Sequence, residues 1–168
     1  VPALGGAQLL HKSAEQYGMA GVLIKNHYEP TAARAALLNA HTEGNARMIG
    51  SLVLNWPVGG INPYAVESAA KRGARMGWMP TRDARNSLTY GDMEGDFFSR
   101  PGISVLKEDD TLKKEVYEIF EIARRYEIPL ATGHLFPKES YLLCREAVAC
   151  GVKTILTHPD FERTLIPL

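Results

Sequence analysis

The sequence has no excess of charge of either sign: 19 lysines and arginines stand against 19 aspartates and glutamates in 168 residues. Without a basic surplus there is no electrostatic footprint for nucleic acid, and without a run of like charges there is no tail or lipid-surface patch. No apolar stretch approaches the roughly 18 residues that a membrane span needs, and nothing at the N-terminus resembles a secretory leader. Cysteine is scarce. Cys144 and Cys150 lie six positions apart (150 − 144) in a helix-like stretch, so they would not bridge, and no CxxC site exists. The expected setting is a reducing cytoplasm with two packing thiols. No GxGxxG loop follows any apolar run, which argues against a dinucleotide fold. The VGGINP stretch at 58–63 has two glycines but no helix start where a phosphate cradle needs one.

What is present suffices for one core. About 45% of the residues are hydrophobic, and the length suits a single domain over 1–168. Apolar runs at 21–27, 48–55, 73–81, 103–106, 128–134 and 153–159 read as six strands. Helical patterns occupy 7–17, 31–40, 63–72, 112–126 and 138–150, with Gly18 and Gly151 as stops and Pro63 as a start. In 112–126, Leu112, Val116, Ile119, Phe120 and Ala123 form one apolar face. Strand and helix alternate, which is the signature of βαβ units and a parallel α/β sheet. Two architectures compete: an open doubly wound sheet, or a (β/α)8 barrel with units missing. The polar connection 82–101 is long for a link without structure and is expected to overhang the strand ends as a lid or subunit contact, with disorder the equal alternative. Asp83, Asn86, Asp92, Glu94 and Asp96 offer carboxylates or amides there. Because the sequence opens on Val1 without Met and stops just past a strand, it is expected to be part of a longer chain.

In a parallel α/β protein the chemistry sits at the carboxyl ends of the strands. Those ends carry Lys25, Asn26 and His27, then Asn55, then Thr81, then Thr132 and His134, then Thr157 and His158 with Asp160 just after. His134 and His158 are 24 positions apart (158 − 134) with one helix between, so they should end consecutive strands about 4.8 Å apart and could share one metal. His27 is a third candidate ligand. Neutral imidazole suits zinc, with manganese or iron as alternatives. A structural, hydrogen-bonded histidine is the competing reading for each alone. His11, in the first helix, and His41, in a turn, are expected to be solvated. Lys25 is the catalytic candidate, because an ammonium at the end of an apolar strand needs a partner or a shifted pKa. It could be carbamylated, form a Schiff base, or bind a carboxylate or phosphate. Asn55, Thr81 and Asp160 are the candidate substrate contacts.

The segments GVLIKNHYEPT, GSLVLNWPVGGINPYAVESA, MPT, ATGHLFPKES and GVKTILTHP together resemble an uncharacterised bacterial and archaeal family related to the amidohydrolases, known as a domain of unknown function or as metal-dependent hydrolases. The resemblance runs from about 17 to 159. It implies a (β/α)8 TIM-barrel-like metal-dependent hydrolase fold, present here as an incomplete barrel that lacks its first and last strands. His134 and His158 match the two single histidines on later strands of such barrels. The KNH segment is similar to the strand-end histidine of the polymerase and histidinol phosphatase family, which implies His27 as a ligand. Lys25 sits on an early strand, away from the position of the usual carbamylated lysine. No HxH motif occurs, and no final strand with a catalytic aspartate follows. The implied activity is hydrolysis of an amide, lactone or cyclic amide by metal-bound hydroxide on a small-molecule substrate, with a phosphoesterase as a close variant. A Schiff-base lysine aldolase or decarboxylase on Lys25, and a non-catalytic barrel, are the other readings. A homo-oligomer is expected, since an incomplete barrel exposes apolar surface.

Overall fold

Glycine and proline punctuate the chain much as their backbone preferences dictate. Gly18, at φ +63°, turns the chain out of the first helix, and Pro63 and Pro137 open two others at the position where a missing N–H costs nothing. A computed structural model of the chain describes residues 3–89 and 100–160. In order, the elements are α1 (Ala3–Gln16), β1 (Gly21–Leu23), α2 (Ala32–His41), β2 (Arg47–Val53), α3 (Pro63–Lys71), β3 (Ala74–Trp78), α4 (Arg85–Thr89), α5 (Lys114–Arg125), β4 (Leu130–Ala131), α6 (Pro137–Ala149) and β5 (Thr154–Ile155), with a single 3-10 turn at Trp56–Val58.

The five strands form one parallel sheet in the order β1-β2-β3-β4-β5, so each strand pairs with the next in sequence. Such an order needs a helical crossover after every strand, and α2, α3, α5 and α6 supply them. All four contribute to one apolar cluster against the sheet, in which Leu52, Ala74 and Leu130 meet Ala32, Val66, Phe120 and Leu143. The apolar face expected for α5 is buried there: Val116, Ile119, Phe120 and Ala123 are all essentially inaccessible. Each large side chain so buried contributes about 1.5–3 kcal/mol. The close approach of α2 to the sheet depends on Gly50, where a Cβ would strike the Cα and backbone nitrogen of Ala32.

The opposite face of the sheet carries a separate small cluster of Val53, Met76, Trp78 and Ala131. A β-bulge creates it. Gly50 pairs with Ala74 and Leu52 with Gly77, so two steps along β2 correspond to three along β3. The extra residue reverses the alternation of β3 and brings Trp78 level with Val53 and Ala131 on the far face.

Several expectations change. The α/β class and the parallel sheet are observed, but among the described residues the sheet has five strands, with β1 and β5 as its edges, and no closed barrel. The sixth strand expected at 103–106 is replaced by isolated bridges. Ile103 bridges Ala84 in parallel and Leu106 bridges Leu112 in antiparallel, so the segment's backbone pairs with neighbouring loops rather than with the sheet. The connection 82–101 is partly ordered by α4 and by the bridge at Ala84, while Asp92, Glu94 and Asp96 lie outside the described residues. His11 is 4% exposed rather than solvated, because it lies on the face of α1 that packs down; His41, the last residue of α2, is exposed as expected. Cys144 and Cys150 are free thiols. Among the described residues, no helix is long and apolar enough to cross a membrane.

Candidate functional site

Register decides where the strand-end side chains meet. Ala131 of β4 pairs with Ile155 of β5. His134 and His158 each lie three residues beyond these partners (134 − 131 and 158 − 155), so the two imidazoles leave the sheet side by side. Their ring centroids are 5.7 Å apart, with the planes tilted by 47°. Two threonines fix the exit. The backbone N–H of Thr157 donates to Thr132 Oγ1 at 3.0 Å, and the N–H of Gly133 donates to Thr157 Oγ1 at 3.1 Å, which stitches the two strand ends together beyond the last ladder bond. Thr132 and Thr157 are both buried.

Gly133 turns the chain at φ +63°, and the N–H of His134 donates to the Pro80 carbonyl at 2.9 Å, which anchors β4 to the end of β3. The imidazole is oriented from α4. Ser87 Oγ lies 3.1 Å from His134 Nδ1, and Asn86 Nδ2 donates to the carbonyls of His134 and Leu135 at 3.2 and 3.4 Å. With Ser87 as acceptor, Nδ1 carries the proton and Nε2 keeps its lone pair, the arrangement that metal-holding histidines use. His158 is exposed and has a left-handed backbone, φ +49°.

His27 lies at the same end of the sheet in a second network. Its Nδ1 is 2.9 Å from Thr81 Oγ1, Asn55 Nδ2 donates to that hydroxyl at 3.0 Å and to the His27 carbonyl at 3.2 Å, and the Thr81 N–H donates back to Asn55 Oδ1 at 2.9 Å. Asn55 and Thr81, expected as substrate contacts, are 1% and 0% exposed. Their polar atoms are engaged with each other, so they position His27. Asp83 extends the network: its carboxylate accepts the Trp56 N–H at 2.7 Å and pairs with the Arg100 guanidinium. Lys25 places its ammonium 5.5 Å from the centre of the Trp78 ring, and the Arg82 guanidinium lies 5.2 Å from the centre of the Tyr28 ring while donating to its hydroxyl. Asp160 is exposed in the turn after β5.

The electrostatics follow from this crowding of cations. Burial pushes the Lys25 amine below its ordinary value. Burial first, then the positive charges of Lys25 and Arg82, hold the His27 imidazole below the usual 6.5, against a smaller opposing pull from Asp83. His27 is therefore neutral near pH 7. A proton NMR titration of its ring is expected to give a midpoint below 6.5; a midpoint at or above that value would remove the cationic surroundings from the account. The sign for stability follows: below 6.5 the unfolded chain takes up this proton first, so the contribution is complete above 6.5 and is lost as pH falls through the folded value.

The rim thus gathers two groups, His134 with His158 and His27 with Thr81, and not one three-histidine centre. Among the described residues, no group of three or more His, Cys, Asp or Glu side chains is close enough to hold a metal ion. A cleft of about 430 Å³ between Arg124, Glu127, Pro129 and Lys153 opens at the other end of β4 and β5, away from these side chains. Sequence reasoning missed Ser87, because a hydroxyl in a polar connection carries no periodic signal, and Trp78, whose facing depends on the bulge. With this geometry in place, the comparison with known families is direct: the chain belongs to DUF6282, a family of unknown function, whose model matches residues 5–167. No curated protein matches it.

Proposed function

We propose that this DUF6282 chain is a metal-dependent hydrolase of the amidohydrolase type, with His134 and His158 as the metal-holding pair and an amide, lactone or cyclic amide as substrate. One observation carries the reading: two imidazoles on adjacent strand ends with ring centroids 5.7 Å apart. A tetrahedral metal at about 2.0–2.1 Å from each ligating nitrogen would spread two ring centroids to roughly 5–6 Å. The donor set fits on chemistry as well, since Ser87 Oγ engages His134 Nδ1, and with the proton on Nδ1 the lone pair lies on Nε2. Two protein donors are one fewer than the three an open catalytic zinc centre uses, so a further ligand from outside the described residues or from the substrate would complete it.

A divalent ion there, zinc before manganese or iron, would supply a Lewis acid that polarises a carbonyl and lowers the pKa of water. The chain's own residues do the rest. Thr132 and Thr157 hold the two strand ends in register, Ser87 steadies the ring of His134 through Nδ1, and His27, neutral near pH 7, is the base at the same rim that can take a proton. The strand order supports the architectural half of the proposal. A sequential parallel sheet with its crossover helices in one shared core is what part of a (β/α)8 barrel would present, whereas a doubly wound sheet reverses its order and is covered on both faces. A small-molecule substrate and a cytoplasmic setting complete the reading.

Elemental analysis of protein purified without chelator tests it. The expected result is about one zinc, manganese or iron per chain, lost in the His134→Ala, His158→Ala double variant and bound roughly 10–100-fold more weakly in Ser87→Ala. Metal-free protein that fails to take up any of the three ions, or equal loading of the double variant, would end the proposal.

A further inference from the structure

We infer that the substrate carries an acidic group, a carboxylate or a phosphate, and that the rim seats it on Lys25 with Arg82 beside it; this rests on reading the strand ends as the catalytic site. The sequence sets both cations around one hydrogen bond. His27 Nδ1 and Thr81 Oγ1, 2.9 Å apart, tie the end of β1 to the end of β3. Lys25 precedes the first of these residues by two positions and Arg82 follows the second directly.

Each cation lies on an aromatic ring. The Lys25 ammonium is 5.5 Å from the centre of the indole of Trp78, and the Arg82 guanidinium packs over Tyr28. An aromatic face orients a cation but replaces only part of the attraction of an anion. Among the described residues Lys25 has no ion-pair partner. Of the described carboxylates on these loops, Asp83 is engaged with Arg100 and the Trp56 N–H, and Glu29 with Arg34. Lys25 is exposed at the rim, so an ammonium there without a carboxylate partner is open to an anion arriving from solvent. Trp78, beside Lys25, is in register with Ala131, three residues before His134, so the ammonium and the histidine pair belong to the same end of the sheet. A substrate whose acid group rests on Lys25 would then extend its reacting carbonyl along that end toward His134 and His158.

The indole makes the binding visible. The chain has two tryptophans, so a Trp56→Phe background leaves Trp78 as the sole reporter. Its emission would be followed while the protein, kept in chelator, is titrated at constant ionic strength with inorganic phosphate in one arm and succinate in the other. A saturable change with either anion is expected, and the tighter of the two identifies the acid group. Lys25→Met should weaken binding about tenfold or more, Lys25→Arg should restore most of it, and Arg82→Gln should weaken it several-fold. Circular dichroism would confirm that each variant folds. The inference is overturned by the absence of saturation with both anions, by equal affinity in Lys25→Met, or by a response that requires added metal. A borohydride-stable adduct of Lys25 with pyruvate would also overturn it, by making the amine a nucleophile. Because the titration is run in chelator, it can succeed where the metal proposal fails, and the reverse.

Discussion

Replacing Gly133 with alanine is expected to destabilise the protein by about 2–5 kcal/mol and to abolish metal uptake with it. Two costs combine. The residue is at φ +63°, a conformation that costs an L-residue about 1–2 kcal/mol. A Cβ there would also run into the carbonyl oxygens of Met79 and Pro80, which are backbone atoms and cannot swing aside. Overpacking of this kind adds about 1–3 kcal/mol. The second cost falls on the site, because the Pro80 carbonyl also accepts the N–H of His134. Any shift that relieves the clash moves the histidine. Gly18→Ala is the control: its φ is also +63°, but nothing lies within 4 Å of the added carbon, so only the first cost applies. Urea unfolding of both variants, with elemental analysis, measures the difference. If Gly133→Ala unfolds no earlier than Gly18→Ala, the close approach of β3 and β4 is wrong.

The second large effect lies at Glu139, 1% exposed at the start of α6. Its carboxylate accepts three donors: the Ser104 hydroxyl, the Val105 N–H at 3.2 Å and the Phe136 N–H at 3.0 Å. The last of these satisfies one of the free N–H groups at the helix start, where negative charge is also favoured. The others clamp the 103–106 segment onto α6. Glu139→Ala leaves two buried donors and one half-buried donor without their acceptor, at about 1–3 kcal/mol for each buried one, and a loss of about 3 kcal/mol or more is expected by chemical denaturation. Glu139→Gln keeps the volume and one acceptor but turns an amide N–H₂ toward a donor, so it should fall between the two. A Glu139→Ala protein within about 0.5 kcal/mol of wild type would contradict the clamp.

These two positions show how unevenly the molecule was legible. Alternating apolar runs and helical stretches disclosed the parallel sheet, because each run ends where the core ends and a polar residue can begin. The pairing of His134 with His158 was readable for the same reason: two runs that end on a histidine, separated by one crossover, must deliver both rings to one edge. The site's supports were not readable. The Ser87 hydroxyl and the Glu139 carboxylate act through contacts 47 and 35 residues distant in sequence, which no local pattern encodes. The 103–106 run misled because short apolar segments look alike whether they join a sheet or merely bridge loops. His11 misled because a helix face is buried by what packs on it, and a histidine on that face carries no apolar signal of its own.

The bulge in β3 has one further consequence. Side chains on a strand keep to alternate sides, so over the four steps from Ala74 to Trp78 an unbroken ladder would bring the indole back to the face of Ala74, in among the crossover helices. The break in step turns it to the other face, beneath the Lys25 ammonium. The cushion under that cation is thus written in the ladder's broken step as much as in the identity of the tryptophan.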